Sequence, residues 1–213
     1  MEPKFFKIPV SVGNVSLRVA KGHFATRNSH TNYFIDVTEQ QSCLMEAEAV
    51  ARQLAQQDLT RSTMVDTILC LDGTRVIGTC LAQKLTQGGF RSINAGKEIY
   101  VLRENWGTSG NLIFRDNAKP MLAEKNVLLL MASVTTGGTV RKGIRCVEHY
   151  EGSVVGIAAI YSHQKEIDGI PVFSLFDTND IPGYASYLPE ECPMCREKQE
   201  LDAVVDKYGY SAL

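Results

Sequence analysis

Residues 126 to 140 read Asn-Val-Leu-Leu-Leu-Met-Ala-Ser-Val-Thr-Thr-Gly-Gly-Thr-Val. A buried strand ends, small and hydroxyl residues turn the chain, and a helix begins near Gly138. Gly137 and Gly138 let the backbone approach a ligand closely, the N–H groups of the helix start point outward, and Thr135, Thr136 and Thr139 add hydroxyl donors beside Ser133. Such a loop suits a phosphate monoester, the competing reading being an ordinary strand-to-helix turn capped by threonine. In Leu71-Asp72-Gly73-Thr74-Arg75, Asp72 can cap a following helix, Gly73 can take a positive φ and Arg75 can pair with an anion, or the arginine is simply solvated. Near the end of the sequence, Cys192-Pro193-Met194-Cys195 places two thiols at a spacing that can grip one zinc ion. A structural zinc site needs four ligands, and Cys146 and His149 complete this one only if the fold brings them close; free or redox-active thiols are the alternative.

Elements of the right kind flank each of these segments. Glu46 to Gln57 is rich in Ala, Glu, Gln and Leu at helical spacing, and Val65 to Leu71 is a short apolar run ended by Asp72-Gly73. The alternation continues with a helix over Val76 to Lys84, strands at Glu98 to Leu102 and Val127 to Leu130, a helix from about Gly138 and a strand at Val154 to Tyr161. Apolar strands separated by helical stretches imply an α/β fold with a central parallel sheet and helices on both faces, where ligands bind at the carboxyl ends of the strands. Residues 41–175 form this core. Residues 1–40, with β-branched and aromatic alternation over Phe5 to Val10, Val15 to Val19 and Tyr33 to Val37, read as a small β-rich segment, and residues 176–213 as an appended tail with a short amphipathic end.

Composition narrows the partners. A net charge of -2 gives no basic field for a nucleic-acid backbone. No apolar run approaches the roughly 20 residues that span a bilayer, and Met1-Glu2-Pro3-Lys4 lacks the layout of a signal peptide, so the expectation is a cytoplasmic protein away from membranes. Six cysteines are too few and too dispersed for a disulfide framework, and Cys43, Cys70, Cys80 and Cys146 read as reduced, mostly buried thiols.

The strand and loop from Val127 to Val140 resemble the phosphoribosyl pyrophosphate signature of type I phosphoribosyltransferases. In that signature a hydrophobic strand and two acidic residues precede a Thr-Thr-Gly-Gly-Thr-like loop that holds the 5-phosphate of the sugar. Met131 and Ala132 stand at the acidic positions here, and Glu104 or Asp72 is the candidate stand-in. Gly22 to Asp36 is similar to the segment of orotate phosphoribosyltransferases that helps cover the base, which assigns base contact to Phe24. Asp72, Gly73, Thr74 and Arg75 fall where the family places its pyrophosphate loop. The stretch from Tyr100 to Gly110 falls at the family's basic mobile loop, where Arg103 is the remaining cation and Trp106 stacks on a base or packs against the partner subunit. His163 stands where orotate enzymes carry an arginine for the orotate carboxylate, and the Cys-Pro-x-Cys tail resembles that of some family members.

The resemblance implies the type I phosphoribosyltransferase fold, Mg2+, a homodimer with sites shared across its two-fold interface, and phosphoribosyl pyrophosphate or a nucleotide monophosphate as ligand. Ser133, Thr135, Thr136, Gly137, Gly138 and Thr139 would hold the 5-phosphate, Arg103 would stabilise charge on the pyrophosphate, and a pyrimidine-like base would accept the 5-phosphoribosyl group. The alternative is a non-catalytic nucleotide-binding or regulatory protein on the same fold.

Overall fold

Extended residues at both ends of the chain enclose a stretch that alternates strand and helix. A computed structural model describes residues 3–9, 14–27, 29–57, 61–87 and 92–213; Val10 of the expected first strand and Asn28 of the Gly22 to Asp36 segment lie outside the described residues. Strands β1 (Phe5–Pro9), β2 (Ser16–Ala25) and β3 (His30–Asp36) come first, followed by helices α1 (Thr38–Ser42) and α2 (Leu44–Gln56). Next are β4 (Thr67–Cys70), α3 (Arg75–Thr86), β5 (Tyr100–Arg103), β6 (Asn126–Val134), α4 (Gly138–His149), β7 (Ser153–Ser162), β8 (Glu166–Ile167) and β9 (Ile170–Phe176). The tail holds β10 (Ser186–Tyr187), a short helix α5 (Pro193–Arg196), β11 (Ala203–Asp206) and β12 (Gly209–Ala212). No helix among the described residues is long and apolar enough to cross a membrane.

Residues Gln40–Leu175 are one compact unit, whose sheet has the order β5-β4-β6-β7-β9-β8. β4 pairs in parallel with both β5 and β6, and β6 with β7, as the βαβ pattern requires. All four residues of β4 are buried, which is why the sequence shows a continuous apolar run there rather than an alternation. One face of the sheet packs Leu69, Leu129, Met131 and Ile157 with Val140, Ile144 and Val147 of α4. On the opposite face Gly78 of α3 lies so close to β4 that a methyl group there would collide with the Cys70 thiol. α2 buries Ala47, Val50, Ala51 and Leu54, a stripe at helical spacing, and packs against α3.

The second unit joins the residues up to Glu39 with Phe176–Leu213. Its sheet runs β10-β3-β2-β11-β12, with β1 also on β2. β2 is long enough to serve two partners on successive stretches: Phe5 to Pro9 pair opposite Ala20 to Ser16, and Ala203 lies in parallel beside Phe24. The tail is therefore not an appendage of the α/β core, and its amphipathic end is a hairpin of β11 and β12 built into this sheet. Ala20, Phe24, Phe34, Ala203 and Val205 form its core, with Phe5 against them.

Candidate functional site

Parallel registers bring the carboxyl ends of four strands to one edge of the α/β unit. Cys70 is level with Arg103 and with Leu130, and Met131 with Ala159. Loops 71–75, 104–113, 135–137 and 163–165 leave from that edge. β6 ends at Val134, and Gly137, with φ of 78°, turns the chain into α4. A side chain at Gly137 would need the left-handed backbone and would put its Cβ 2.8 Å from Ile167 Cδ1, so both conformation and space call for glycine. α4 starts with no side-chain cap, which leaves its first N–H groups to whatever occupies the loop. A shallow cavity of about 60 Å³ lies there, lined by Ser133, Thr135, Thr136, Gly137, Gly138 and Thr139 together with Met131, Val134 and Val140.

Neighbouring side chains hold the loop's carbonyls. Gln164 Nε2 donates to the Thr135 carbonyl at 3.2 Å, and the Arg141 guanidinium donates to the Thr136 carbonyl at 3.0 Å while its Nε meets Asp168 Oδ1 at 3.2 Å. These bonds occupy two carbonyl acceptors that would otherwise repel an anion. Arg141 was not anticipated from the sequence; the signal was an arginine three residues past the second loop glycine, one turn into the helix. Exposed His163 begins the loop after β7, and its N–H donates to the Val134 carbonyl at 2.8 Å, beside the Thr135 to Thr139 loop.

The turn after β4 is built differently from the expectation. Asp72 has φ of 52° and Gly73 of 80°, so Asp72 lies outside the helix it was expected to cap, and Thr74 is the residue flanking α3. The Asp72 N–H donates to Glu104 Oε2 at 2.7 Å, and Glu104 N–H to the Cys70 carbonyl at 3.0 Å, which ties this turn to the end of β5. Thr74 is fully buried; its hydroxyl donates to the Leu71 carbonyl at 2.8 Å and to that of Leu130 at 3.0 Å. That hydroxyl is spent inside the turn and leaves Arg75 and Arg103, both exposed, as the cations of this region. Beneath them burial pushes the Cys70 thiol up to about 12, with Arg75 pulling the other way.

The glycine-rich stretch after β5 is laced rather than loose. Gly107 N–H donates to Asn111 O at 2.8 Å and Ile113 N–H to Asn105 O at 2.9 Å, while Trp106 bridges to Leu112. The half-buried indole packs against the core, with Lys142 Nζ 5.7 Å from the ring centre. Met131 and Ala132 are buried in β6, so their apolar character serves the sheet.

Three assignments move. Phe24 is fully buried against Phe34, ring centres 5.9 Å apart, so its side chain is core and not a surface for a base. Cys146 is buried on the Leu112 carbonyl at 3.5 Å, its thiol pushed up to about 11 by burial, and His149 lies edge-on to Tyr150. Neither is needed beside Cys192 and Cys195, which meet His23 and His30 instead, two histidines the sequence did not connect to them. Burial, and then the His23 ring, hold the His30 imidazole below its ordinary value.

No protein-family model matches the chain. The orotate phosphoribosyltransferase of Thermus thermophilus is 31% identical over 193 residues, 86% of this chain and 92% of the relative. That of Caldicellulosiruptor bescii is 29% identical over 180 residues, 83% of this chain and 85% of the relative. Among solved structures, the orotate phosphoribosyltransferase of Mycobacterium tuberculosis H37Rv superimposes with a TM-score of 0.52 at 15% identity, covering 78% of this chain and 93% of that one, a likeness of fold. With a parallel sheet whose strand ends carry an uncapped Thr-Thr-Gly-Gly-Thr helix start, and a relative matched along nearly its whole length, the chain belongs to the orotate phosphoribosyltransferase family.

Proposed function

We propose that the protein transfers a 5-phosphoribosyl group from phosphoribosyl pyrophosphate to a ring nitrogen of a pyrimidine-like base, orotate being the first candidate because the relatives carry its name. The observation that carries this reading is the uncapped start of α4 behind Gly137 at the carboxyl edge of the sheet. There the backbone N–H groups and the hydroxyls of Ser133, Thr135, Thr136 and Thr139 bind the 5-phosphate, and the helix dipole favours its charge. Arg75 and Arg103 take the pyrophosphate, Asp72 and Gly73 shape the turn beside it, and His163 meets the base.

In the reaction the bond from C1 of the ribose to the pyrophosphate oxygen breaks and the bond from C1 to the base nitrogen forms. The electron pair of the broken bond leaves on pyrophosphate, and the base gives its ring N–H proton to solvent. Arg75 and Arg103 stabilise the leaving charge.

Magnesium takes oxygen ligands, commonly one or two carboxylates together with substrate phosphates; the lining of the Thr135 to Thr139 loop offers hydroxyls but no carboxylate, with Met131 and Ala132 buried at the two positions in question. Asp72 and Glu104, tied together where the turns after β4 and β5 meet, are the carboxylates that would hold the ion beside the pyrophosphate, where it would neutralise leaving charge; the steps above use none. The assembly we infer is a homodimer working in the cytoplasm.

The deciding experiment is calorimetric titration with phosphoribosyl pyrophosphate, with and without magnesium, paired with an assay of pyrophosphate release in the presence of orotate, uracil and cytosine. Binding with release supports the transferase and identifies its base. Binding without release identifies a sensor on the same fold, and an absence of binding overturns the reading of the loop.

A further inference from the structure

The N-terminal and tail segments bring four metal-ligating side chains together that are far apart in sequence. His23 sits near the end of β2, His30 at the start of β3, Cys192 immediately before α5 and Cys195 within it. One ligating atom from each lies within 4.8 Å of the other three. His23 Nε2 is 3.0 Å from His30 Nδ1, 3.5 Å from Cys192 Sγ and 3.6 Å from Cys195 Sγ, while His30 Nδ1 is 3.2 Å from Cys195 Sγ. Around a tetrahedral zinc ion, with bonds of about 2.0–2.1 Å to nitrogen and about 2.3 Å to sulfur, such atoms stand roughly 3.3–3.8 Å apart. Four of the six distances are already at that spacing to within a few tenths of an ångström, and the other two, from Cys192 to His30 and to Cys195, are within 4.8 Å.

Its surroundings are those of a ligand set. His23 Nδ1 lies 3.0 Å from the Gln199 carbonyl; as donor to that oxygen, the ring keeps its proton on Nδ1 and presents a bare Nε2 to the cluster. The His23 backbone is fixed as well, its N–H donating to Asp202 Oδ2 at 2.7 Å and its carbonyl accepting from Asp202 N–H at 2.8 Å. His23 and Cys192 are buried, so the inner half of the cluster excludes water.

We propose that His23, His30, Cys192 and Cys195 form a structural zinc site that ties the tail to β2 and β3. Four protein ligands complete a tetrahedron and leave no position for a substrate, so the ion has a structural and not a catalytic role. On binding, each thiol gives its proton to solvent, and two thiolates with two neutral imidazoles make a centre of zero net charge, suited to a half-buried place. This inference is independent of the transferase reading.

The test is zinc content of the full-length protein by plasma mass spectrometry, as purified without chelator and after reconstitution with zinc under reducing conditions. The expected result is about one zinc per chain, lost in Cys195→Ser and in His30→Ala, whose positions are solvent-facing enough for the variants to fold. Cobalt substitution of the wild type provides a second measurement. A tetrahedral site with thiolate ligands gives an intense visible band and a near-ultraviolet charge-transfer band, and both should vanish in Cys195→Ser. Trace zinc in both preparations, with rapid formation of a Cys192–Cys195 disulfide, would overturn the proposal in favour of a redox pair. Stoichiometric zinc that persists in both variants would overturn the ligand set.

Discussion

Gly137 carries two constraints at once, a left-handed backbone and a Cβ position filled by Ile167. In Gly137→Ala the added methyl strains the loop by about 1–3 kcal/mol. We expect phosphoribosyl pyrophosphate affinity to fall at least tenfold, with a smaller loss of stability, as measured by titration calorimetry and urea denaturation. Cys70 permits a prediction about pH. Its thiol ionises near 9.0 in an ordinary setting and is pushed up to about 12 in the fold. Below the first value folded and unfolded chains both hold the proton and the thiol has no pH effect. Between the two values only the unfolded chain releases it, so stability declines as pH rises, by about 1.4 kcal/mol per pH unit. Urea denaturation at mildly and strongly alkaline pH should show that slope reduced in Cys70→Ala. Residue types alone made the turn from β6 into α4 legible, because glycine there answers to a local backbone need. They could not place His23 and His30 beside the thiols, since that meeting depends on strands and tail arranged by tertiary structure. A Cys-x-x-Cys pair in want of two ligands, in a chain with four histidines, was the available signal. Phe24 misled for the opposite reason: an aromatic in a base-covering segment and an aromatic in a core have the same appearance in sequence.

Hydrophobic periodicity located α2 and α3 to within two residues at each end, because each buries one stripe against a sheet or a neighbouring helix. β6 ran four residues past its expected end, since Met131 to Val134 still pair with β7. The hairpin of β11 and β12 read as merely amphipathic, although Val204-Val205 and Tyr210 on either side of the Lys207-Tyr208 turn, with Gly209 just after it, were a hairpin signal. Its parallel pairing with β2 has no local signature at all. The close contact of α3 with β4 yields the test at this scale. Gly78→Val places a branched side chain against the Cys70 thiol, Ile68 and Leu130. Overpacking of this kind should cost about 1–3 kcal/mol in urea denaturation, with α3 displaced from the sheet.

At the scale of the molecule, both chain ends contribute to one sheet and the middle of the chain forms the other. Deleting residues 203–213 would remove β11 and β12 and strip Ala203 and Val205 from the packing around Phe24. We expect the amides of β2 to lose most of their hydrogen-exchange protection, while those of β4 and β6 keep theirs. Retained protection in β2 would show that its pairing with β1 and β3 suffices.

The sheet made from both ends also sets an order of events during synthesis. His23 and Asp202, which exchange two backbone-anchored hydrogen bonds, are 179 residues apart. At about 5–20 residues translated per second, the exposed edge of β2 waits roughly 9–36 s for its partner. The intervening α/β unit is complete in the nascent chain before then. For that interval the newborn protein is a finished core preceded by an open strand edge, the form in which it is most prone to pair with other chains and most in need of a chaperone.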